Sequence, residues 1–576
     1  MDSTPNTKKR SVWHGLRRQG ALAFLGLSEH LMRLIGRRKP YGVLKLDIAG
    51  ELAEEESGQR ILGLLRRPSD DYFALITLLR WAREDPALSG IFIRCEQLHA
   101  SWARLQGLRR AIQRVREAGK HVWVHLNSGG VREYYVATAA ERVSLTPAAT
   151  LDIAGLSSEV VFFLGALEKI GVQADIVQMG RYKSAGESFT RRDMSIPHRE
   201  MAESLIDDLY GQLVEGVATD RGLEPAVVRE IFDRGPFLAC EALDGKLVDE
   251  IAYEDEVEAR LLAACGESPT IQRRDYFRRR SHDARRRALR EARGTFALLH
   301  VCGTIKSGES VPGPEGTGAV GSKVVAAALK ELRERGDIQA VILRVSSPGG
   351  SATASDLIWR EVVRTREQKP VVISCGDVAA SGGYYVAVAG TPVLAEAGTI
   401  TGSIGVIAGR ATLRGLYERL GVTKELVQRG RHASLYSDYA PLGEEERARI
   451  QAEAASFYDT FVGKVVAGRQ LSADAVAAAA EGRVWTGRQA WMRGLIDEVG
   501  GFEEAVAAAK RLVGLAPEAV VAIERYPKPR RLWKLSLDLN LPGPTGIAEL
   551  LGVLPSVRYL LRERVWAILP FHLRFF

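Results

Sequence analysis

The sequence predicts a duplicated α/β protein: two tandem lobes, each a largely parallel sheet covered by helices, with an extension at either end. Three observations carry that prediction. Tyr134-Tyr135-Val136-Ala137 recurs as Tyr384-Tyr385-Val386-Ala387, Ile91-Phe92-Ile93-Arg94 as Val341-Ile342-Leu343-Arg344, and Leu247-Val248-Asp249-Glu250 as Leu495-Ile496-Asp497-Glu498. A repeat this long is a whole domain rather than a solenoid unit. Within each copy, short apolar runs alternate with stretches of helical pattern, the signature of parallel strands joined by right-handed crossovers. Finally, 576 residues exceed what one core organises.

Each copy opens with a short strand, expected at residues 43–48 and 297–301. A helix follows, around 72–83 and 323–335. Next comes a buried strand (90–94 and 340–345), then a helix, then a further strand (121–125 and 370–374). Several of these strands are continuously apolar, as sheets covered on both faces require. Residues 307–321 carry Gly308, Gly313, Gly316, Gly318 and Gly321 and read as a loop placed to cover a site.

The resulting partition is 1–40, a basic amphipathic membrane-associating segment; 41–270, the first repeat; 271–294, an Arg-rich linker; 295–525, the second repeat; and 526–576, an apolar, aromatic tail. The net charge of +8 is unevenly spread, with nine Lys/Arg in residues 1–40 and ten Arg between Arg273 and Arg293. The first segment places Phe24, Leu27, Leu31 and Leu34 at helical spacing between basic ends, the pattern of a helix lying in a membrane interface or packed on the body. It contains no apolar run of spanning length. In the tail, Trp533, Leu535, Leu537 and Leu539 alternate like a strand, and Trp566-Ala567-Ile568-Leu569 belongs to a stretch that lies on a membrane or docks on a neighbouring subunit. The Arg-rich run reads as a solvated helix or linker. Without a nucleic-acid-binding fold or stacking motif beside it, no nucleic-acid partner is expected. Five cysteines without paired spacing indicate neither a disulfide framework nor a zinc site.

The chemistry lies in what each copy has lost. In the second copy a buried strand ends in Ser346-Ser347-Pro348-Gly349-Gly350, and a later segment reads Ala379-Ala380-Ser381-Gly382-Gly383. Glycines at such turns let backbone N–H groups face a cleft, and Gly350 and Gly382 together are candidates for an oxyanion hole. The first copy has Glu96-Gln97-Leu98-His99-Ala100 and Val131-Arg132-Glu133 at the same places, so both elements are gone together. Conversely, the first copy reads Gly180-Arg181-Tyr182-Lys183, and the second has Ala433 where Lys183 stands. A serine hydroxyl needs a base. A lysine serves if burial lowers its pKa, and His432 is the nearest histidine by repeat position. A Ser381–Lys183 site assembled across the two copies follows.

Four motifs now make the chain recognisable. Ser346-Ser347-Pro348-Gly349-Gly350, Ala379-Ala380-Ser381-Gly382-Gly383-Tyr384, Thr401-Gly402-Ser403-Ile404-Gly405-Val406 and Gly482-Arg483-Val484-Trp485-Thr486-Gly487 resemble the signal peptide peptidase A (protease IV) family in its long, duplicated form. The resemblance spans roughly residues 41–525. It implies tandem crotonase/Clp-protease-like ββα superhelical domains with helical extensions. It also implies Ser381 as nucleophile, Lys183 as general base, Ser403 as the serine that orients the lysine, and Gly350 and Gly382 lining the oxyanion hole. The implied protein is an ATP-independent serine endopeptidase without cofactor or metal. It would act through an acyl-enzyme on cleaved signal peptides and other unfolded peptides, as a homotetramer at the bacterial cytoplasmic membrane. The chain departs from the family in lacking a clear transmembrane helix at its start, so peripheral or weak attachment is expected, on a side the sequence leaves open. Two other functions compete. A crotonase-type acyl-thioester enzyme would use the same paired N–H groups but needs carboxylates and leaves Ser381 and Lys183 without a role. A membrane scaffold would use the two terminal segments alone.

Overall fold

The computed structural model describes residues 40–54, 71–311, 318–527 and, as backbone, 565–568. The amphipathic segment at 1–40 lies outside these residues apart from Pro40, and so does the pattern at Trp533–Leu539. In the first lobe the chain runs β1 (Val43–Glu51), α1 (Tyr72–Glu84), β2 (Gly90–His99), α2 (Trp102–Glu117), β3 (His121–Leu126), α3 (Val131–Ala137), β4 (Arg142–Leu145), β5 (Gln173–Met179), α4 (Ile196–Arg221), β6 (Glu250–Ile251) and β7 (Thr270–Gln272). Strand order β7-β1-β2-β3-β4-β6 makes a six-stranded sheet, parallel throughout. The Arg-rich run is a helix, α5 (Arg273–Glu291), moored by the buried Tyr276.

The second lobe repeats the plan with β8 (Gly294–Cys302), β9 (Thr304–Lys306), β10 (Ala319–Gly321), α6 (Ser322–Glu334), β11 (Ile338–Ser347), β12 (Gly349–Ser351), α7 (Ala352–Arg366), β13 (Val371–Ala380), α8 (Gly382–Ala387), β14 (Ile400–Gly402), β15 (Val406–Thr412), α9 (Glu444–Arg469), β16 (Val484–Thr486) and β17 (Val521–Tyr526). Its main sheet runs β16-β14-β13-β11-β8-β17, parallel except where β16 turns back on β14. These are the tandem ββα lobes the sequence predicts. The strands run longer than the apolar cores that announce them: β2 continues to His99 and β13 to Ala380, because the ladder persists past the last core-facing residue. One expectation is corrected. Residues 319–321 are a strand, not loop, since β10 pairs in parallel with β9 and Gly321 N–H donates to Ser310 Oγ at 3.0 Å.

The recurring motifs hold equivalent places. Tyr134 O–H donates to the Leu247 carbonyl at 2.9 Å, and Tyr384 O–H to that of Leu495 at 2.7 Å. Asp249 Oδ2 accepts Val143 N–H, and Asp497 Oδ2 accepts Val393 N–H, each at 2.7 Å. Arg221 and Arg469 pair with the respective aspartates. The repeated Leu-Val/Ile-Asp-Glu is thus a clamp that closes each lobe onto its sheet.

A third sheet joins the lobes: β10-β9-β12, a fourth strand β18 (Val565–Ile568), then β15 and β5. Strand β5 belongs to the first copy and pairs antiparallel with β15 of the second along its whole length, Met179 opposite Val406 through Gln173 opposite Thr412. Charged contacts reinforce the junction. From α2, Arg104 pairs with Asp377, Arg110 with Glu396, and Arg114 with Glu503 and Glu504. The buried Arg344 guanidinium meets Glu54 of the first lobe and donates to Ser374 Oγ at 2.8 Å. Removing one member of such a buried pair costs about 3–5 kcal/mol, so the lobes are locked rather than loosely tethered.

Candidate active site

Strand β13 delivers Ser381. Its last residue, Ala380, pairs with Gly402 of β14, and the chain then turns sharply into α8. At this corner Ser381 has φ 54° and ψ −117°, a conformation that costs an L-residue about 1–3 kcal/mol. The surroundings enforce it: Ser381 N–H donates to the Gly402 carbonyl at 2.8 Å, and Ser381 O accepts Tyr385 N–H at 2.8 Å. The hydroxyl makes no capping hydrogen bond to the helix that Ser381 opens.

The glycines around the corner are steric necessities. A Cβ on Gly383 would stand 2.5 Å from the Ser347 carbonyl, and one on Gly350 only 2.0 Å from that of Ile305. Gly350 also has φ +153°. The turn after β11 and the start of α8 therefore approach each other as bare backbone.

Lys183 arrives from the other lobe on the end of β5. Gly180, at φ +105°, turns the chain, and Tyr182 N–H donates to the Glu481 carbonyl at 2.8 Å. Gly482 lets this segment in, since a Cβ there would sit 2.6 Å from Lys183 Cβ. The amine ends 2.8 Å from Ser381 Oγ, 2.8 Å from Ser403 Oγ and 3.1 Å from the Ser403 carbonyl. Three neighbours match a neutral amine, which has two N–H donors and one lone pair. Lys183, Ser381 and Ser403 are each 0% exposed. Burial alone pushes the lysine well below its ordinary pKa. Keeping an ordinary lysine neutral at pH 7 costs about 5 kcal/mol, an expense a merely structural side chain would avoid by reaching solvent.

Ser403 is held as tightly. It has φ 53°, and its N–H donates to the Arg483 carbonyl at 2.7 Å, while Gly482 N–H donates to the Ile404 carbonyl at 2.7 Å. The Thr-Gly-Ser-Ile and Gly-Arg-Val-Trp-Thr motifs are thereby one unit that grips both Ser403 and the lysine segment.

All five residues singled out in the sequence fall on these elements, and Lys183, Ser381 and Ser403 converge on one amine. His432 does not join them; it is exposed and lies 3.8 Å from Glu445. The supporting role of Glu481, Gly482 and Arg483 escaped the reading of residues. A signal was present: in the register placing Leu247 on Leu495, the first copy has Arg234 where Gly482 stands.

The model of Peptidase family S49 matches residues 114–265 and 364–516. Serine protease SPPA, chloroplastic, of Arabidopsis thaliana is 33% identical over 84% of this chain and 71% of its own length. Protease 4 of Salmonella typhi is 29% identical over 92% of this chain and 85% of its own, and Protease 4 of Haemophilus influenzae 31% over 78% and 74%.

Proposed function

The chain belongs to Peptidase family S49, and from that premise we propose that it is a serine endopeptidase with a Ser–Lys dyad built from both copies. Lys183 Nζ, neutral through burial, takes the Ser381 hydroxyl proton as Oγ attacks the scissile carbonyl carbon. The N–H groups of Gly350 and Gly382 hold the oxyanion. On collapse the C–N bond breaks, and the lysine returns the proton to the departing amine. Water, relieved of a proton by the same lysine, then releases the acyl group from Ser381. Ser403 positions the amine through its hydroxyl and carbonyl. The observation that carries this reading is the 2.8 Å approach of a buried amine to a strained serine.

Cleaved signal peptides and other unfolded peptides are the proposed substrates, cut without ATP, since the sequence contains no phosphate-binding Gly-x-x-x-x-Gly-Lys-Ser/Thr pattern. We place the protein peripherally at the bacterial cytoplasmic membrane, as a homotetramer. The family resemblance and the basic amphipathic pattern of residues 1–40 support that placement. Among the described residues no helix is long and apolar enough to cross a membrane.

The test is peptide cleavage by Ser381→Ala and Lys183→Met. Each is expected to lose at least about 10³-fold in kcat, with the fold intact by circular dichroism. Lys183→Met is expected to unfold no earlier than the parent near neutral pH, because it removes a buried amine. Wild-type turnover in either variant would refute the dyad.

A further inference from the structure

Arg483 touches both halves of the candidate site without touching its reacting atoms. Its carbonyl accepts the Ser403 N–H at 2.7 Å, and its own N–H donates to the Ala480 carbonyl at 3.0 Å. Its side chain points the other way, into the first copy. One guanidinium nitrogen, Nη1, donates to Tyr182 Oη at 3.1 Å and to Glu200 Oε1 at 2.7 Å. The Tyr182 hydroxyl donates in turn to Glu200 Oε2 at 2.9 Å, which closes a triangle. The guanidinium carbon stands 4.7 Å from the centre of the Tyr182 ring and 4.7 Å from that of Trp485, so it is also packed against a ring of each copy.

Tyr182 is the residue before Lys183, and Glu200 lies near the start of α4. The triangle therefore spans the arm on which the lysine is carried. That arm needs an external restraint. An ordinary lysine at pH 7 prefers its charged form by more than about 10³-fold. The three contacts of the Lys183 amine are with two hydroxyls and a carbonyl, and neutral hydrogen bonds are typically worth about fivefold each, or about 10²-fold together. An arm able to swing would carry the amine to water and a proton. The second charged tie between arm and second copy, Arg181 with Glu481 at 3.3 Å, is half exposed and screened by solvent. Arg483 is better placed, with a largely covered guanidinium and a buried tyrosine as partner.

We propose that Arg483 is a positioning residue: its guanidinium, shared between Tyr182 and Glu200, holds the arm of the first copy so that the Lys183 amine stays against Ser381. This rests on the peptidase reading above. Through its carbonyl the same residue holds Ser403, so one arginine registers the base and the serine that contacts it.

The test is the rate of Ser381 labelling by a fluorophosphonate, followed against pH in the parent, Arg483→Met, Arg483→Lys, Glu200→Gln and Lys183→Met. Loosening the arm returns the amine toward its ordinary value, so the alkaline-rising limb moves to higher pH. Arg483→Met is expected to shift it by about one pH unit, a tenfold lower rate below the limb, with the high-pH plateau within about twofold of the parent. Arg483→Lys can still donate to both oxygens and is expected to restore at least half of that shift. Glu200→Gln leaves the strand that holds Ser403 untouched and is expected to slow labelling below the limb about threefold. A purely structural role would lower the plateau and leave the limb in place. A limb unmoved in both Arg483→Met and Glu200→Gln, or an Arg483→Lys protein no nearer the parent than Arg483→Met, would overturn the proposal. Lys183→Met separates the two readings: labelling at the parent's rate there would remove the dyad itself, whereas a limb that needs Lys183 but ignores Arg483 sinks this inference alone.

Discussion

The two lobes fold alike, yet the same corner carries the proposed nucleophile in one and is plugged in the other. Where the second lobe has Gly383, the first has Glu133, and its carboxylate turns back on the turn that Gly350 occupies in the second lobe. Glu133 Oε2 accepts Gly130 N–H at 2.9 Å, and Oε1 accepts Leu98 N–H. The two amides it holds are the counterparts of Pro348 and Ala380, so a side chain of the protein itself fills this corner. Val131 stands where Ser381 does, and Ile153 where Ser403 does. A cleft of about 370 Å³ remains there, lined by Trp102, Val131, Glu133 and Asp152 among others. The exchange is not reciprocal either. Strand β5 of the first copy crosses to pair with β15, but the counterpart of β5, residues 423–429, forms no strand. It ends at Ala433 in an exposed turn. On the proposed reading, one copy supplies the base and the other the nucleophile. Each shed the part it no longer used.

The sharpest way to break the contrast is to move the plug. Gly383→Glu should convert the second lobe into a copy of the first. The new Cβ meets the Ser347 carbonyl at 2.5 Å, so the corner that carries Ser381 must shift, and peptide cleavage is expected to fall by at least about 10²-fold. Activity within tenfold of the parent would show that cleavage does not depend on the close approach of Gly383 to Ser347. A smaller effect is expected from Ser403→Ala, which removes one of three contacts to the lysine amine. We expect kcat to fall about 10- to 100-fold with KM little changed, and the alkaline-rising limb of the pH–rate profile to shift. A pure loss of stability would leave that limb in place. The smallest effect on catalysis belongs to Glu133→Ala. Cleavage should be unchanged. Unfolding free energy should drop by about 1–3 kcal/mol, measured by urea denaturation, because the Leu98 and Gly130 amides lose their acceptor.

Much of this was readable before any coordinates. Ser381, Gly382 and Gly350 stand out because the first copy lost them together, and Lys183 because the second copy lost it alone. A repeat supplies an internal comparison that a single domain lacks. The ββα plan followed from strand-length apolar runs separated by helical ones. What the sequence hid are the contacts between segments hundreds of residues apart. That Gly482 makes room for Lys183, that Glu133 folds back on Leu98, and that Val565–Ile568 enters a sheet beside Gly350 depend on where backbones meet. No periodicity reports such meetings. Strand β10 was missed for the same reason, since three residues with a glycine read as loop until a distant partner pairs with them.

The pH dependence of the lysine gives the most direct test of the central claim. Burial lowers the Lys183 pKa, so below that value the amine is charged and cannot take the serine proton; above it the neutral base is fully present. The folded protein also binds fewer protons than the unfolded chain between the lowered value and 10.5, so this group's contribution to stability rises with pH over the same window. The rate of covalent labelling by a fluorophosphonate, with the modified residue located by mass spectrometry, reads both partners at once. The account predicts label on Ser381, a rate that climbs with pH to a plateau reached below pH 10.5, and loss of labelling in Lys183→Met. Label on another residue, or a Lys183→Met protein labelled at the parent's rate, would contradict it.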